Sequence, residues 1–304
     1  MRIGRRLHRH GKVQARPGGG PGRPRKPASW SRALLAATLA LAPLLFPLLP
    51  WQWTGPFFLN AQSAPDTLRI LAYNTHHGEG LDGTLDLERM AGVIRSADPD
   101  VVALQEIDRQ VERTGGVDQA RVYGELTGLN PIFGDFMPYQ GGHYGMALLS
   151  RHPVKEWENV RLPPGTEPRS TLAARIQIPG SGQEIWVGGI HFYRTREERL
   201  AQARTTLDFF RSVREPVFLV GDFNSQPGGA VLTALEEAWS RPEKEGAPFT
   251  FPADEPEREI DFILIRPQER VRVLEYRVLD EPVASDHRPV FMVVEILPPP
   301  ENAP

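Results

Sequence analysis

The feature that most limits the fold of this chain is a series of eight short apolar runs between residues 68 and 296. Each run is four to seven residues long and is separated from the next by polar or amphipathic sequence. Apolar runs of this length between turn-forming segments are typical of buried β-strands. They lie at 68–73, 101–104, 146–149, 172–178, 185–190, 217–220, 260–265 and 291–296.

Three of the intervening segments have the spacing of amphipathic helices. Residues 87–97, 195–213 and 230–239 place apolar side chains three and four positions apart. Strands that alternate with helices, without an internal repeat or a linker, predict one α/β domain over residues 65–298 and a loose tail at 299–304. The chain contains no cysteine, which excludes disulfides, thiolate metal sites and a cysteine nucleophile.

An uncharged apolar segment spans residues 33–50, and aromatic residues extend it to residue 59. The three prolines in this segment would break a buried core helix. A signal peptide or a membrane anchor over residues 33–59 is therefore the better interpretation. Ala61 and Ser63 offer a cleavage site, whereas the length of the run and the pair Trp51 and Trp53 favour an uncleaved anchor.

The charge of the N-terminus predicts its topology. Residues 1–32 contain ten Lys and Arg residues and no acidic residue. Positive flanks stay on the cytoplasmic side, so we expect the α/β domain to be membrane-anchored and extracytoplasmic, or secreted or periplasmic if a signal is cleaved. The Gly-, Pro- and Arg-rich composition of 1–32 predicts a disordered tail. That tail is either a topology signal or a contact for nucleic acid or anionic lipid.

The rest of the chain is acidic. Residues 33–304 contain 25 basic and 38 acidic side chains, a net charge of −13. Nonspecific nucleic-acid affinity comes from neutralising phosphates, so a chain of this charge is a poor generic binder of duplex DNA. Any phosphate chemistry must therefore depend on local cations, for which Arg169 and Arg194 are candidates, or on a bound metal.

Polar, titratable residues follow or begin many of the predicted strands. Each one alone is typical of a solvated loop, a turn or a surface contact. Six sites in order, each next to an apolar run, are not explained in that way, and the ends of such strands converge on one cleft. The sites are Asn74, Gln105–Glu106, His191, Asp222–Asn224, Asp261 and Asp286–His287.

The series resembles the endonuclease/exonuclease/phosphatase family of metal-dependent phosphoesterases. The matching segments are N-T-H-H from Asn74, L-Q-E-I-D-R from Leu104, Y-G-M-A-L-L-S-R from Tyr144, G-I-H-F, G-D-F-N-S-Q-P, I-D-F-I and S-D-H-R-P-V. The resemblance covers nearly the whole predicted domain. It implies a four-layer α/β sandwich in which two packed mixed sheets are flanked by helices.

The resemblance also implies roles for individual residues. Glu106 would be the principal Mg²⁺ ligand, with Mn²⁺ as a substitute ion, and Asn74 and Asp286 would contribute. Asp222 would orient or deprotonate the attacking water, and Asn224 would hold the scissile phosphate. His287, oriented by Asp261, would donate to a phosphoryl oxygen, and His191 would bind phosphate or protonate the leaving oxygen.

Three residues keep two interpretations. Tyr144 is a substrate contact or a packing residue. Arg109 reaches substrate or forms a structural bridge with Asp108. His77 binds phosphate or metal, or is a loop histidine.

The function predicted from the sequence is an exported or membrane-anchored metal-dependent hydrolase of phosphoester bonds. A small molecule or a phosphorylated lipid headgroup fits the acidic chain better than duplex DNA, the membrane contact is through residues 33–59, and no obligate protein partner is implied. The alternatives are an extracytoplasmic endo- or exonuclease, an inactive membrane-tethered binding domain, and a cytoplasmic enzyme whose basic tail binds nucleic acid.

Overall fold

The eight apolar runs form eight of the eleven strands of two β-sheets in the computed structural model, which describes residues 66–299. The first sheet has six strands in the spatial order β10-β11-β1-β2-β4-β3. In it β1 and β2 are parallel, and the other neighbouring strands are antiparallel. The strands are β1 (Asp66–Asn74), β2 (Val101–Arg109), β3 (Asn130–Tyr139), β4 (Gly142–Ser150), β10 (Val271–Val278) and β11 (Val290–Ile296).

The second sheet has five strands in the order β5-β6-β7-β8-β9. Only β7 and β8 are parallel in it, and their register places His191 beside Asp222. The antiparallel β9 then places Asp261 beside Asp222 on the other side. The strands are β5 (Val154–Arg161), β6 (Ser170–Gln177), β7 (Glu184–His191), β8 (Val217–Asp222) and β9 (Asp261–Arg266).

Two pairs of helices cover the outer faces of the sheets. Helices α1 (Leu87–Ala97) and α2 (Gln119–Thr127) pack on the six-stranded sheet. Helices α3 (Arg196–Phe210) and α4 (Ala230–Glu236) pack on the five-stranded sheet. A third apolar cluster lies between the sheets, where each large aliphatic side chain contributes about 1.5–3 kcal/mol on burial. The predicted four-layer α/β sandwich with two packed mixed sheets is therefore confirmed.

The first helix shows how local sequence sets an element. The side chain of Asp86 accepts a hydrogen bond from the Arg89 backbone N–H and so caps the N-terminus. Met90, Ala91 and Ile94 then lie buried against the sheet, as their spacing predicts. The helix ends at Ala97, where Asp98 adopts a left-handed conformation.

The strands that the apolar pattern did not predict are β3, β5 and β10, and each is the outermost strand of its sheet. Most side chains of β5 are exposed, and β10 alternates between exposed and covered positions. These three strands are covered on fewer sides than the inner strands, so their sequences carry no continuous apolar run. The other outermost strand, β9, has five of its six residues buried, and its sequence does carry such a run. Helix α2 was also not predicted, because only two large apolar side chains in its nine residues, Val122 and Tyr123, precede the terminal turn.

The N-terminal predictions lie outside the described residues. The basic tail 1–32 and the signal or anchor segment 33–59 are not described, nor are residues 300–304 of the C-terminal tail. The domain limits 65–298 therefore remain a prediction. Within residues 66–299, the structure contains no helix that is long and apolar enough to span a bilayer.

Gly221 in β8 lies where the backbone of β7 and a side chain of β2 both come close to it beside the cleft. Its φ is +141°, and a Cβ atom here would lie 2.2 Å from the Ile190 carbonyl oxygen and 2.8 Å from Gln105 Nε2. Because the first neighbour is backbone, it cannot rotate away. The sequence G-D-F-N thus needs glycine at its first position for steric reasons.

We predict that Gly221→Ala lowers the free energy of unfolding by about 2–4 kcal/mol, the scale of an overpacked and strained core position. The matched control is Gly141→Ala, in a turn with φ +81° and nothing within 4 Å of the new Cβ. It should cost about 1 kcal/mol, from strain alone. Chemical denaturation of the two variants measures the difference, and equal losses would contradict this steric explanation.

Candidate active site

One cleft of about 510 Å³ opens where the ends of the central strands of both sheets meet. Asn74 and Glu106 come from the six-stranded sheet, and His191, Asp222 and Asp261 come from the five-stranded sheet. The loop before β11 adds Asp286 and His287. The structure thus brings together all six of the polar sites that the sequence placed next to apolar runs.

A β-bulge directs Glu106 toward the cleft. The pairing of β2 with β4 shifts register between Gln105 and Ile107, and Glu106 has a φ of +61°. A non-glycine residue in the left-handed region is strained, and strain of this kind concentrates at functional sites. The side chain of Glu106 remains 23% exposed, and its Oε1 accepts a hydrogen bond of 3.2 Å from Asn74 Nδ2.

The amide of Asn74 joins the two sides of the cleft. Its Nδ2 also donates to Asp222 Oδ2 over 3.3 Å, so one amide group bridges a carboxylate of each sheet. Its Oδ1 accepts from the backbone N–H of His76, which fixes the direction of the amide. The residue is buried, with an exposed fraction of 1%.

Asp222 is held by the residues that follow it. Its Oδ1 accepts a hydrogen bond of 2.7 Å from the Asn224 backbone N–H. Asn224 has a φ of +48°, and its Nδ2 donates to the Phe192 carbonyl and to Asp222 Oδ2. The Asn224 side-chain amide is thus occupied in positioning Asp222, although the residue also lines the cleft.

Burial and the neighbouring carboxylate of Asp261 raise the pKa of Asp222 to about 7. The charge of His287 opposes this shift, because a nearby cation stabilises the ionised carboxylate. His287 Nε2 lies 3.9 Å from Asp222 Oδ2. Asp222 is therefore a carboxylate with a basicity suited to proton transfer near neutral pH.

His287 and Asp261 form a buried pair. His287 Nδ1 donates to Asp261 Oδ2 over 2.9 Å, and the same oxygen accepts from the hydroxyl of Thr250 over 2.5 Å. Burial alone would lower the pKa of His287, but the charge of Asp261 and this hydrogen bond outweigh it and raise the pKa to about 10. The ring is therefore charged at neutral pH, with its Nε2–H facing the cleft.

His191 has the opposite environment. Burial and the charge of Arg169 lower its pKa well below the ordinary value, so the ring is neutral. Its Nδ1 lies 2.9 Å from Arg169 Nη1, and its Nε2 lies 3.5 Å from Asp222 Oδ2.

Four arginines line the cleft of this acidic chain. Arg169 and Arg194 were candidates from the sequence, and the structure adds Arg113 and Arg258. Tyr144 also lines the cleft, and burial raises the pKa of its hydroxyl well above the ordinary value. The cleft of this acidic chain therefore contains local cations, as the sequence predicted for Arg169 and Arg194.

Arg109, a candidate substrate contact, is not among the side chains that line the cleft in the described part of the chain. Its guanidinium lies over the ring of Phe133, 4.4 Å from the centroid. The alternative bridge to Asp108 is made instead by Arg113, whose Nε and Nη2 donate to the two carboxylate oxygens over 2.7 and 2.9 Å. The bulge at Glu106 changes which side chains of β2 face the cleft, and the sequence pattern did not reveal it.

Sequence reasoning missed Arg113, Arg258, Thr250 and Glu167. Thr250 lies far from any apolar run, and Glu167 was not distinguished from solvated acids, although its Oε1 lies 2.5 Å from Arg169 Nη2. His77, the ambiguous histidine, lines the cleft, and its Nε2 lies 3.5 Å from Glu79 Oε2. A usable signal for Glu167 was its position two residues before a candidate arginine.

The acidic donors fit a hard divalent cation. Glu106 and Asp286 line the cleft, and within residues 66–299 neither has a Lys or Arg nitrogen within 4.0 Å. Oxygen ligands that include unpaired carboxylates are those that Mg²⁺ and Mn²⁺ prefer. Asp222, Asp261 and His287 also place ligand atoms within 4.8 Å of one another. In that second group, however, Asp261 and His287 are already bonded to each other.

Comparison with known proteins identifies the family to which this chain belongs. The model of the endonuclease/exonuclease/phosphatase family matches residues 71–287, so the chain belongs to this family. Its members are hydrolases of phosphoester bonds, and they typically use divalent metals.

Three similar proteins illustrate the family. The uncharacterized protein YbhP of Escherichia coli K12 is 27% identical over 222 residues, which is 67% of this chain and 87% of that protein. An endonuclease/exonuclease/phosphatase from Beutenbergia cavernae is 26% identical with a TM-score of 0.64, over 78% of this chain and 74% of that one. The mannosyl-6-phosphatase Bt3783 of Bacteroides thetaiotaomicron shares the fold, with a TM-score of 0.59, 18% identity and coverage of 75% and 99%.

We predict that Asp261→Asn lowers turnover by roughly 100-fold, the scale of one oriented donor. Asp261 raises the pKa of His287, so its loss lowers that pKa, and activity should decline at a lower pH on the alkaline side. Profiles of kcat against pH, with NMR titration of the His287 ring, measure both effects.

The control for this prediction is Thr250→Val. It removes the hydroxyl that donates to Asp261 Oδ2 and keeps the His287–Asp261 pair. It should leave the alkaline limb close to that of the parent. His287→Ala and the double variant should lose similar amounts, because the pair acts as a unit. Strictly additive losses would show that the two residues act independently.

Proposed function

We propose that this chain is a metal-dependent phosphoesterase that acts outside the cytoplasm on a small phosphoester or a phosphorylated lipid headgroup. The observation that carries the proposal is the opposed pair Asp222 and His287, a carboxylate with raised pKa and a charged imidazole whose facing atoms are 3.9 Å apart. Hydrolysis of a phosphoester requires a proton acceptor and a charged donor at one cleft, and these two residues supply them in this proposal.

Asp222 is the general base in this proposal. It accepts the proton of the attacking water, and Asn74 and Asn224 hold its oxygens in place. The positive charge of His287 stabilises the ionised form before the transfer. Proton acceptance by a positioned carboxylate contributes about 10²–10⁴-fold to a rate.

His287 is the charged donor. Its Nε2–H points at the space in front of Asp222, where a phosphoryl oxygen gains negative charge during the reaction. Phosphoryl transfer depends mostly on positioning and electrostatic stabilisation, so a fixed cationic donor is effective there. Asp261 and Thr250 keep the ring oriented.

Glu106 would hold the metal, with Asp286 and Asn74 contributing. When bound, Mg²⁺ or Mn²⁺ supplies a Lewis acid that polarises the phosphoryl oxygen and neutralises charge. The Asn74 amide orients Glu106 for this purpose.

The substrate proposal follows from the distribution of charge. Residues 33–304 carry a net charge of −13, whereas four arginines, Arg113, Arg169, Arg194 and Arg258, line the cleft. Such a surface repels an extended polyanion and accepts one compact phosphate. The name of the mannosyl-6-phosphatase relative supports a small phosphoester, such as a sugar phosphate, as one member of the substrate class.

The test is an activity screen of the purified protein with Mg²⁺ or Mn²⁺. It includes bis-p-nitrophenyl phosphate, p-nitrophenyl phosphate, a sugar phosphate, inositol phosphates, sphingomyelin and plasmid DNA. Preference for plasmid DNA would favour the nuclease alternative. Absence of turnover on every phosphoester would favour the inactive binding domain.

We predict that Glu106→Gln removes most of the activity found in that screen and weakens the response to metal. The amide keeps the size of the side chain but lacks the charge that a divalent cation needs. Glu158→Gln, on the exposed face of β5, is the matched control and should leave activity unchanged. Full turnover in excess chelator, or an unchanged metal titration in Glu106→Gln, would contradict a metal role for Glu106.

The extracytoplasmic location rests on the sequence of residues 1–59. The test uses a reporter enzyme that is active only outside the cytoplasm. We predict that this reporter is active when it is fused after Pro304. A fusion that lacks residues 1–59 is the control and should report a cytoplasmic location. An alkaline carbonate wash then separates an uncleaved anchor from a cleaved signal. Protection of the domain from protease in intact spheroplasts would contradict the proposed topology.

A further inference from the structure

A buried arginine lies directly behind one of the two cleft histidines. Arg169 immediately precedes β6, is 5% exposed, and places its Nη1 2.9 Å from Nδ1 of His191. In His287, the other cleft histidine, Nδ1 contacts the carboxylate of Asp261. The two rings therefore differ in the chemistry of the group that contacts Nδ1.

The contact with Arg169 fixes the tautomer of His191. A guanidinium has only N–H donors and is not deprotonated in proteins, so Nδ1 of His191 must be the acceptor. A neutral imidazole has one ring proton, which must then lie on Nε2. A ring protonated on both nitrogens would place one N–H against another, so this geometry excludes it.

The remaining N–H of His191 faces the cleft. Nε2 lies 3.5 Å from Asp222 Oδ2 and 4.0 Å from Glu106 Oε1. In the described part of the chain, no protein acceptor makes a hydrogen bond to Nε2. The donor is therefore available to a group that enters between the two carboxylates.

Arg169 is itself held on several sides. Its Nη2 forms an ion pair of 2.5 Å with Glu167. Its guanidinium lies 5.0 Å from the ring centroid of Phe136, 5.8 Å from Tyr144 and 5.7 Å from Tyr193. Because these contacts restrict the arginine, they also restrict the direction of the His191 ring.

We propose that Arg169 is a positioning residue that fixes His191 as a neutral Nε2–H donor to a phosphate oxygen. This inference rests on the proposed phosphoesterase function and decides between the two roles that the sequence left open for His191. A neutral imidazole has no readily released proton for a leaving oxygen, whereas its N–H is a good donor to phosphate. His191 therefore binds phosphate, and the leaving group must obtain its proton elsewhere.

The test is ¹⁵N NMR of the histidine rings in the purified protein without added metal, with the His191 signals assigned by His191→Gln. The parent should show a non-protonated Nδ1 and a protonated Nε2. Arg169→Met removes the donor, so the ring should gain the other tautomer. Arg169→Lys keeps a donor at this position and should preserve the parent tautomer.

Kinetics on the best substrate of the screen provide the second readout. Arg169→Met should lower kcat/KM by roughly 10- to 100-fold, the range for a lost oriented donor, and Arg169→Lys should recover most of it. The control is Arg266→Met, which removes a half-buried arginine from β9, whose Nη2 donates to backbone carbonyls outside the cleft. It should change neither the His191 spectrum nor kcat/KM.

Two results would overturn the proposal. One is a parent spectrum in which Nδ1 of His191 carries the proton. The other is an Arg169→Met variant that loses activity while the His191 tautomer stays unchanged, since that loss would come from structure alone. If Arg169→Met does not fold, the parent spectrum and Arg169→Lys still decide. The NMR measurement needs no turnover, so the tautomer of His191 can be determined even if the protein is inactive on every phosphoester. Such inactivity would contradict the proposed function and not the tautomer.

Discussion

Burial of charge at the junction of the two sheets is the constraint on which the rest of this site depends. Asp222, Asp261 and His287 are each at most 5% exposed. An isolated charge in such a place costs several kcal/mol, so it must be compensated by a partner and by hydrogen bonds. The cation of His287 lies between the two carboxylates, and Asn74 and Thr250 donate to them. The same neighbours that make the cluster stable give Asp222 and His287 their shifted pKa values.

The backbone conformation at the cleft also depends on contacts with neighbouring residues. Glu106 and Asn224 both adopt left-handed conformations, and both residues line the cleft. Such conformations persist only where neighbouring contacts determine them. For Asn224 these contacts are hydrogen bonds to Asp222 and Phe192, and for Glu106 they are the flanking pairs of β2 with β4. The rigid sandwich therefore stabilises a locally strained site.

Much of this arrangement could be predicted from the sequence, because buried central strands and polar strand ends have direct signatures. The apolar runs predicted the inner strands and β9, and the residues next to these runs included Asn74, Glu106, Asp222 and His287. What could not be predicted depends on three-dimensional detail. The outermost strands β3, β5 and β10 lack an apolar run, and no pattern along the chain places Arg109 over the ring of Phe133 or Arg113 against Asp108. The partner of a side chain, such as Arg169 behind His191, has no pattern along the chain.

The two histidines show why a residue type alone does not define a role. Both are buried at strand ends or loops that border one cleft, and both direct Nε2 toward Asp222, at 3.5 Å for His191 and 3.9 Å for His287. The difference lies behind the rings, where Asp261 accepts from one Nδ1 and Arg169 donates to the other. A carboxylate behind the ring stabilises the charged form, and a guanidinium stabilises the neutral form. One cleft thus obtains a cationic donor, His287, and a neutral donor, His191, from the same type of side chain. The residues behind the two rings determine which ring carries the charge.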